Sequence, residues 1–258
     1  MSDARMLMEA ALECATVAGA VARRHWKARL DVERKADGSP VTIADREAER
    51  RAREWIAARF PQDGILGEEF GLERPEAKRR WVLDPIDGTI TFVRGVPLWG
   101  SLVAVLEGET VLAGAAVFPA VDERLCAAPG EGCWANGSRA QVSGIASLAD
   151  ATVLATDEQF RRFPERLERW RALAARAKVV RSWGDCYGYL LLATGRAEVM
   201  VDQALSVWDA AVLQPLIEEA GGVFTDWSGR RAGLVGDAIA TNAALAETVR
   251  RTLVAPAS

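Results

Sequence analysis

Two aspartates lie three residues apart in the segment WVLDPIDGTITF, directly behind an apolar run. Asp84 ends a predicted buried strand, and a Pro–Ile dipeptide then turns the chain so that Asp87 points back toward Asp84. Gly88 permits a tight turn, and Thr89 is predicted to begin a helix or turn whose backbone amides are free. Two carboxylates, a carbonyl and free amides suit a divalent cation that binds oxygen, together with a phosphate. The alternative is an ordinary turn, because Asp-Pro and Asp-Gly are common turn sequences.

Two further acidic segments lie on either side of this one in the sequence. Glu68 and Glu69 follow a short apolar stretch in GILGEEFG, where exposed loop acids are the alternative interpretation. Ser206 and Asp209 match a capping box in SVWDAAV, so Asp209 could simply complete a helix N-terminus. The apolar residues around Asp209 predict that this terminus is buried. A buried carboxylate needs a partner, which a metal ion can supply.

The chain contains a single histidine, His25, among basic residues at the end of the first predicted helix. We interpret it as a surface residue. One imidazole argues against a Ser-His-Asp triad, a phosphohistidine mechanism and a histidine-rich zinc site. The chemistry that remains is that of carboxylates with a bound metal ion.

The composition is that of a globular protein of one large domain or two modest ones, with 258 residues, 50% of them hydrophobic and 26% charged. The net charge of −4 gives no electrostatic footprint for nucleic acid, and we interpret the basic clusters at 50–53 and 78–80 as solvated faces. No signal-peptide pattern and no apolar run of membrane-spanning length occur. Four cysteines without a CxxC pair indicate reduced thiols. We therefore expect a cytoplasmic protein without membrane or nucleic-acid partners.

Hydrophobic periodicity predicts the elements that position these residues. An amphipathic first helix covers Leu7 to Val21, and a second runs from about Asp45 to Phe60, where Pro61 stops it. The further predicted elements are an antiparallel hairpin across 107–110, short strands over 123–137, a helix near 164–177, a strand over 178–182, a helix over 185–193, a strand over 197–202, a helix over 206–222, and strands over 222–229 and 237–242.

Strands with helices between them, without strict βαβ alternation, predict a layered α/β fold with substantial antiparallel content. A soft boundary near 146–151 divides the chain into two halves. We expect residues 1–146 to form an N-terminal α+β half with the metal-binding motifs, and residues 147–258 a C-terminal α/β half with the substrate-binding segment. The two halves together would form one compact catalytic unit.

Three segments, GEEFG, WVLDPIDGTITFVRGVPLWG and SVWDAAVLQPLIEEAGG, occur in the order and with the spacing of the signature segments of a known family. Over almost its whole length the chain resembles the inositol monophosphatase family of Mg²⁺-dependent phosphomonoesterases, which are related to fructose-1,6-bisphosphatase. Within that family, RSWGDCYGYLLLATGRAEVMVD resembles the histidinol-phosphate phosphatase branch more than the inositol phosphatases. The resemblance implies the fructose-1,6-bisphosphatase/inositol monophosphatase-like αβαβα arrangement and a homodimer.

The resemblance also implies two to three Mg²⁺ ions in each site. Glu68, Asp84 and the carbonyl of Ile86 would bind one ion, and Asp84, Asp87 and Asp209 would bind the second. All of these ligands offer oxygen, as Mg²⁺ requires.

Other residues acquire roles by the same resemblance. Asp45 and Thr89 would orient and deprotonate the attacking water, and a third, weaker ion would lie near Glu68, through water, with Asp45 close by. The amides of Gly88 and Thr89 would receive the phosphate. Lys35 begins the segment KADGSPVTIADREAE, which is similar to the family's mobile metal-binding loop, and would lie in the loop that closes over the site.

Asp185 and Asp202 match the positions that meet the leaving alcohol. A carboxylate at Asp185 offers a charge-assisted partner for a cationic alcohol such as histidinol, and Asp202 would add a second. Trp183 or Tyr187 could stack on an imidazole, although packing in the core is the alternative we favour for both. Ile90 departs from the family pattern, in which a polar residue is expected, so a side-chain contact to phosphate would be lost there.

The sequence therefore predicts an enzyme that hydrolyses histidinol phosphate to histidinol and phosphate, in histidine biosynthesis, by Mg²⁺-assisted attack of water. An inositol-1-monophosphatase or a broad-specificity sugar or polyol phosphatase of the same family is the alternative. A non-catalytic module that binds a phosphorylated ligand or a protein is the third. All the matched acids and Thr89 are present, which argues against the third.

Overall fold

The structure is a computed structural model that describes residues 2–35, 38, 40–231 and 234–254. The helices are α1 Asp3–His25, α2 Ile43–Arg59, α3 Thr89–Val93, α4 Leu167–Ala174, α5 Asp185–Ala193, α6 Val207–Glu219 and α7 Ala246–Leu253. The strands are β1 Glu33–Arg34, β2 Pro40–Val41, β3 Gly64–Gly67, β4 Gly71–Glu73, β5 Arg79–Asp87, β6 Gly100–Glu107, β7 Thr110–Phe118, β8 Glu123–Ala128, β9 Gly132–Ala135, β10 Ser138–Arg139, β11 Thr152–Ala155, β12 Val179–Arg181, β13 Val199–Leu205, β14 Val223–Thr225 and β15 Gly236–Thr241.

Two large sheets organise these elements. The first has eight strands in the order β10-β9-β8-β7-β6-β5-β3-β4, and it is antiparallel except where β3 pairs with β5. The second has five strands in the order β12-β11-β13-β15-β14, with parallel pairs on one side of β13 and antiparallel pairs on the other. The β1 and β2 strands form a separate two-stranded ribbon.

The layers follow from where each helix buries its apolar stripe. One core lies between the first sheet and the pair α1 and α2, where small residues of α1 such as Ala11 and Ala15 allow close contact with the strands. A second core lies between the two sheets and surrounds α5 and α6, both apolar on nearly all sides. A third core packs α4 and α7 against the far face of the second sheet. The order is therefore helices, sheet, helices, sheet, helices, which agrees with the predicted layers.

The predicted elements are found with shifted ends. The second helix starts at Ile43, earlier than predicted, because the Thr42 hydroxyl accepts a hydrogen bond from the Ala44 amide and caps the helix. The predicted helix near 164–177 is divided into a 3₁₀ turn over Pro164–Arg166 and the shorter α4. The sequence analysis missed α7, β4 and the β1–β2 ribbon.

Two interpretations of charged residues change in the structure. Arg53 belongs to a cluster that we interpreted as a solvated face, but its side chain is largely buried against Glu49. His25 is half-buried, and its Nε2 lies 2.8 Å from a carboxylate oxygen of Glu47. None of the helices in the described ranges is both long enough and apolar enough to cross a membrane.

Candidate active site

A bulge near the end of β5 brings Asp84 and Asp87 to the same side of the first sheet. Asp84 is paired with Leu102 on β6, whereas Asp87 is paired with Gly100, so β5 carries one extra residue between the two pairs. Residues three apart on a regular strand face opposite ways, and the extra residue removes that difference. The Ser101 hydroxyl donates a 2.6 Å hydrogen bond to the Pro85 carbonyl and holds the bulge in place.

Asp209 reaches this point from the N-terminus of α6. One of its carboxylate oxygens accepts a 2.7 Å hydrogen bond from the Ser206 amide, as the capping-box pattern predicts. The structure places carboxylate oxygens of Asp84, Asp87 and Asp209 within 4.8 Å of one another. Three residues separated by up to 125 positions in the sequence therefore form one acidic cluster, which we call the aspartate cluster.

Burial and mutual repulsion both act on the aspartate cluster. Burial, followed by repulsion from Asp209, raises the pKa of Asp87 to about 7. Burial also raises the pKa of Asp209 to about 7, with Glu68 and Asp202 adding repulsion. The pKa of Asp84 is raised well above its usual range by burial and then by Glu68, Asp87 and Asp209. Within the described part of the chain, no lysine, arginine or histidine forms an ion pair with these three carboxylates, and buried carboxylates of this kind fit a divalent, oxygen-binding cation such as Mg²⁺.

Glu68 and Glu69 lie in the turn between β3 and β4, beside this cluster. The Lys35 ammonium donates hydrogen bonds of 2.7 Å to Glu68 and 2.5 Å to Glu69. Burial lowers the pKa of Lys35, but these bonds and charges outweigh it and raise the pKa overall. Burial raises the pKa of Glu69 to about 7. Of the loop predicted to close over the site, residues 36, 37 and 39 lie outside the described ranges.

Asp45 and Thr89, predicted to act together on water, are each hydrogen bonded to a close neighbour in sequence. Asp45 Oδ2 accepts bonds from the Thr42 amide at 2.8 Å and the Thr42 hydroxyl at 2.7 Å. The Thr89 hydroxyl donates a 3.0 Å hydrogen bond to the Ile86 carbonyl. Burial raises the pKa of Asp45 in spite of the bonds from Thr42. The structure does not join Asp45 to Thr89 by a direct hydrogen bond.

Gly88 connects the end of β5 to the short helix α3 in the left-handed region, with φ +82. A side chain at this position would be strained, and its Cβ would lie 3.1 Å from the Leu98 carbonyl oxygen. Thr89 is the first residue of α3, as predicted. Ile90 is 68% exposed, so its apolar side chain makes no compensating contact in the core.

Asp185 lies beside Gly88, at the start of α5. Its Oδ2 is 3.2 Å from the point that a Gly88 Cβ would occupy. The next amide, that of Cys186, donates a 2.6 Å hydrogen bond to Asp87 and so ties α5 to the end of β5. Asp185 has φ +50, and its amide donates to the Thr156 hydroxyl. Burial and then repulsion from Asp87 raise the pKa of Asp185 to about 7.

Asp202 lies on β13 and is more deeply buried than Asp185. Its carboxylate accepts a 2.9 Å hydrogen bond from the Tyr189 hydroxyl. Burial raises the pKa of Asp202 to about 8, partly offset by bonds from Thr156 and Tyr189. The Thr156 hydroxyl therefore contacts the Asp202 carboxylate and the backbone amide of Asp185.

The two aromatic residues predicted to pack in the core differ in how far they are buried. Trp183 is 40% exposed and, with Leu98, Tyr187 and Leu191, lines a pocket of about 140 Å³. The core interpretation is therefore wrong for Trp183. Tyr187 is half-buried and packs edge-on against Phe118, with ring centroids 6.1 Å apart.

The sequence analysis did not identify several residues that shape the site. Thr42, Ser101 and Thr156 hold site carboxylates or the β5 bulge, but isolated hydroxyls carry no signal in a single sequence. Glu49 is fully buried below the turn that carries Glu68. Its position beside the apolar stripe of the second helix was the one available signal.

The chain is similar to known proteins over most of its length. The model of a family described as "Inositol monophosphatase family" matches residues 3–255. A histidinol-phosphatase of Chlorobaculum parvum is 44% identical over 234 residues, covering 90% of each chain. A histidinol-phosphatase of Mycobacterium tuberculosis is 38% identical, covering 85% of this chain and 86% of the relative. The solved structure of an inositol monophosphatase from Zymomonas mobilis superposes with a TM-score of 0.85 at 33% identity, covering 98% of this chain and 99% of the other.

Proposed function

Because the chain belongs to the inositol monophosphatase family, we propose that it is a Mg²⁺-dependent phosphoric monoester hydrolase whose substrate is histidinol phosphate. The observation that carries the proposal is the meeting of Asp84, Asp87 and Asp209 beside Asp185. The first three offer the ligands of a divalent cation, and Asp185 offers a negative partner for a cationic alcohol.

The ligand oxygens divide between two main cation positions. Asp84, Asp87 and Asp209 would hold one ion, and Asp84, Glu68 and the Ile86 carbonyl would hold another. The Ile86 carbonyl already accepts from Thr89 but retains a second lone pair. A third, weaker ion would lie near Glu68. When bound, Mg²⁺ would neutralise charge on the phosphate and lower the pKa of a bound water.

The chain's own residues then position the reactants. The amides of Gly88 and Thr89 would donate to phosphate oxygens, since the turn at Gly88 leaves both at the start of α3. Asp45 and Thr89 would hold the attacking water between them and accept its proton, which requires Thr89 to turn from the Ile86 carbonyl. Asp45 is suited to accept a proton because its pKa is raised. Lys35 would pair with Glu68 and Glu69 when its loop covers the site.

The residues proposed to meet the leaving alcohol favour a positively charged alcohol over an uncharged one. Histidinol carries an ammonium and an imidazole, whereas inositol carries only hydroxyls. Asp185 and Asp202 both lie on this side, and Trp183 offers an exposed ring to an imidazole at the adjacent pocket. The similarity to two histidinol-phosphatases, over 90% and 85% of this chain, supports the same choice.

The decisive experiment compares histidinol phosphate, inositol 1-phosphate and fructose 1,6-bisphosphate at one fixed Mg²⁺ concentration. We expect the highest kcat/KM with histidinol phosphate and loss of turnover in excess chelator. Preference for inositol 1-phosphate would move the chain to the alternative branch and leave the reaction class intact. Full activity in chelator would contradict the reaction class itself.

We also propose a homodimer in the cytoplasm, without nucleic-acid partners. The net charge of −4 supports the absence of nucleic-acid binding, and four buried free cysteines fit a reducing compartment. The homodimer is proposed from membership of the family alone. Light scattering of the purified protein tests it, and the mass of a single chain would contradict it.

A further inference from the structure

We propose that Glu49 is a positioning residue that fixes the β3–β4 turn and thereby sets the affinity of the site for Mg²⁺. The inference rests on the proposed function, because it concerns the side chain of Glu68, a proposed ligand. Glu49 lies on α2 and is 0% exposed, and the mechanism above gives it no role.

The Glu49 carboxylate binds the backbone of the turn directly. It accepts a 2.7 Å hydrogen bond from the Glu69 amide and a 3.2 Å bond from the Phe70 amide. A third bond, of 2.8 Å, comes from Arg53 Nε. Three donors thus converge on one buried carboxylate, an arrangement that fixes its position.

The turn is held from the other side by the first sheet. The Glu68 amide donates a 3.1 Å hydrogen bond to the Leu83 carbonyl of β5, one residue before Asp84. Successive amides, at Glu68 and Glu69, are therefore anchored to β5 and to α2 respectively. The Glu68 side chain leaves the backbone between these two anchors, so its direction depends on both.

Gly67 shows how closely Glu49 approaches the turn. A Cβ on Gly67 would lie 2.0 Å from Glu49 Oε1, far inside van der Waals contact. Only glycine at this position lets the carboxylate reach the amides beyond it.

Arg53 balances the charge of Glu49 and makes its own contact with the turn. One guanidinium nitrogen donates a 2.5 Å bond to the Gly71 carbonyl, where β4 begins. Because the Glu49–Arg53 pair is neutral overall, loss of the Glu49 charge leaves Arg53 uncompensated and changes the field at the site as well as the position of Glu68. Gly67→Ala, which leaves both charges in place, therefore isolates the effect of position. Asp45 lies one turn earlier on α2, so a single helix positions both the water-side carboxylate and the ligand turn.

The test replaces Glu49 by glutamine. Glu49→Gln keeps the size of the side chain, but its NH₂ group must face an N–H donor of Glu69, Phe70 or Arg53. Mutation of a residue that orients a metal ligand typically lowers metal affinity by about 10- to 100-fold. Calorimetric titration of the substrate-free protein with Mg²⁺ should therefore show binding weakened at least about tenfold. With histidinol phosphate, the Mg²⁺ concentration for half-maximal rate should rise by the same factor, while kcat recovers to within about twofold at saturating Mg²⁺.

Asp63→Asn is the matched control. Asp63 is a buried carboxylate next to the other end of β3, and it accepts bonds from Arg79 and Trp81. Its loss should lower the melting temperature and leave Mg²⁺ affinity unchanged. Gly67→Ala is a second test, because its methyl group would displace the Glu49 carboxylate without removing any charge. It should also weaken Mg²⁺ binding, and it stands in if Glu49→Gln fails to fold.

The outcomes separate the two levels of the proposal. If the wild-type protein hydrolyses the ester with Mg²⁺ and Glu49→Gln or Gly67→Ala binds Mg²⁺ as tightly as wild type, the positioning role is wrong and the proposed function stands. If Asp63→Asn weakens Mg²⁺ binding equally, the effect is general destabilisation and the positioning role is again wrong. If the wild-type protein neither binds Mg²⁺ nor hydrolyses the ester, the proposed function fails and the inference fails with it.

Discussion

Asp84 is repelled by three carboxylates at once, those of Glu68, Asp87 and Asp209. This repulsion gives Asp84→Asn opposite effects on activity and on stability. The loss of a ligand shared by both main ions should lower kcat/KM by about a thousandfold, equivalent to ~4 kcal/mol. The metal-free protein should be at least as stable as wild type, because one buried charge is removed. Enzyme assays and thermal melting in chelator measure the two effects. A variant that retains a tenth of the wild-type activity would contradict the shared-ligand assignment.

Asp185 carries the proposed choice of substrate, and its backbone restricts how it can be tested. At φ +50 a β-branched residue such as threonine would be strained, whereas asparagine tolerates this region. Asp185→Asn should lower kcat/KM for histidinol phosphate about ten- to a hundredfold, since a charge-assisted hydrogen bond contributes roughly 1.5–3 kcal/mol. Turnover of a small uncharged phosphate ester is the control and should change little. Equal losses on both substrates would place Asp185 in the general machinery instead.

At the scale of elements, Arg250 joins α7 to the edge of the second sheet. Its guanidinium donates to the Val223 and Ile239 carbonyls and to the hydroxyls of Thr225 and Thr241. Arg250→Lys keeps the charge but cannot reach all four acceptors, so the free energy of unfolding should fall by about 1–3 kcal/mol. Urea denaturation measures this fall. Activity at 25 °C should be unaffected, because α7 lies on the far side of the second sheet from the aspartate cluster. A loss of activity in the folded variant would contradict this separation.

The sequence was sufficient for elements with a strong local pattern. The helix over 185–193 was predicted at its observed ends, and the hairpin across 107–110 was predicted as β6 and β7. The helix α7 was missed because its apolar contacts, at Leu245, Val249 and Leu253, are spread among charged residues and become a core only against the second sheet.

The acidic residues of the site were named from the sequence, but the residues that hold them in place were not. Asp84 and Asp87 share one short segment, and Glu68 and Asp209 were singled out from their own segments before the resemblance implied a ligand role for them. The bulge that aligns Asp84 with Asp87 depends on pairing with β6, and the contact of Glu49 with the Glu69 amide spans 20 residues. Such contacts depend on tertiary pairing, which a single sequence does not record.

At the scale of the whole molecule, the buried acids predict how stability depends on pH in the absence of metal. The pKa values of Asp87, Asp209 and Asp202 lie near 7 to 8 in the fold, against about 3.9 in an unfolded chain. Between these limits the folded protein binds more protons than the unfolded one, so these groups lower stability as pH rises from about 4 to about 8. The melting temperature in chelator should therefore be lower at about pH 8 than at about pH 5.5.

Mg²⁺ should reverse this trend, because it binds the ionised carboxylates and competes with protons. The rise in melting temperature on addition of excess Mg²⁺ should be larger at the higher pH. Thermal melting at the two pH values, with chelator or with Mg²⁺, measures all four states. Equal stabilisation by Mg²⁺ at both pH values would contradict the raised pKa values of the site.

The four cysteines are distributed between the two cores of the first sheet. Cys14 and Cys126 lie in the core under α1 and α2, and Cys133 and Cys186 lie in the core between the sheets. All four are buried and free, and burial raises the pKa of each thiol. A thiol reagent can reach each sulfur only while the surrounding layer is briefly open. The rate of alkylation at each cysteine therefore reports how often the core around it opens, and no residue has to be introduced to measure it.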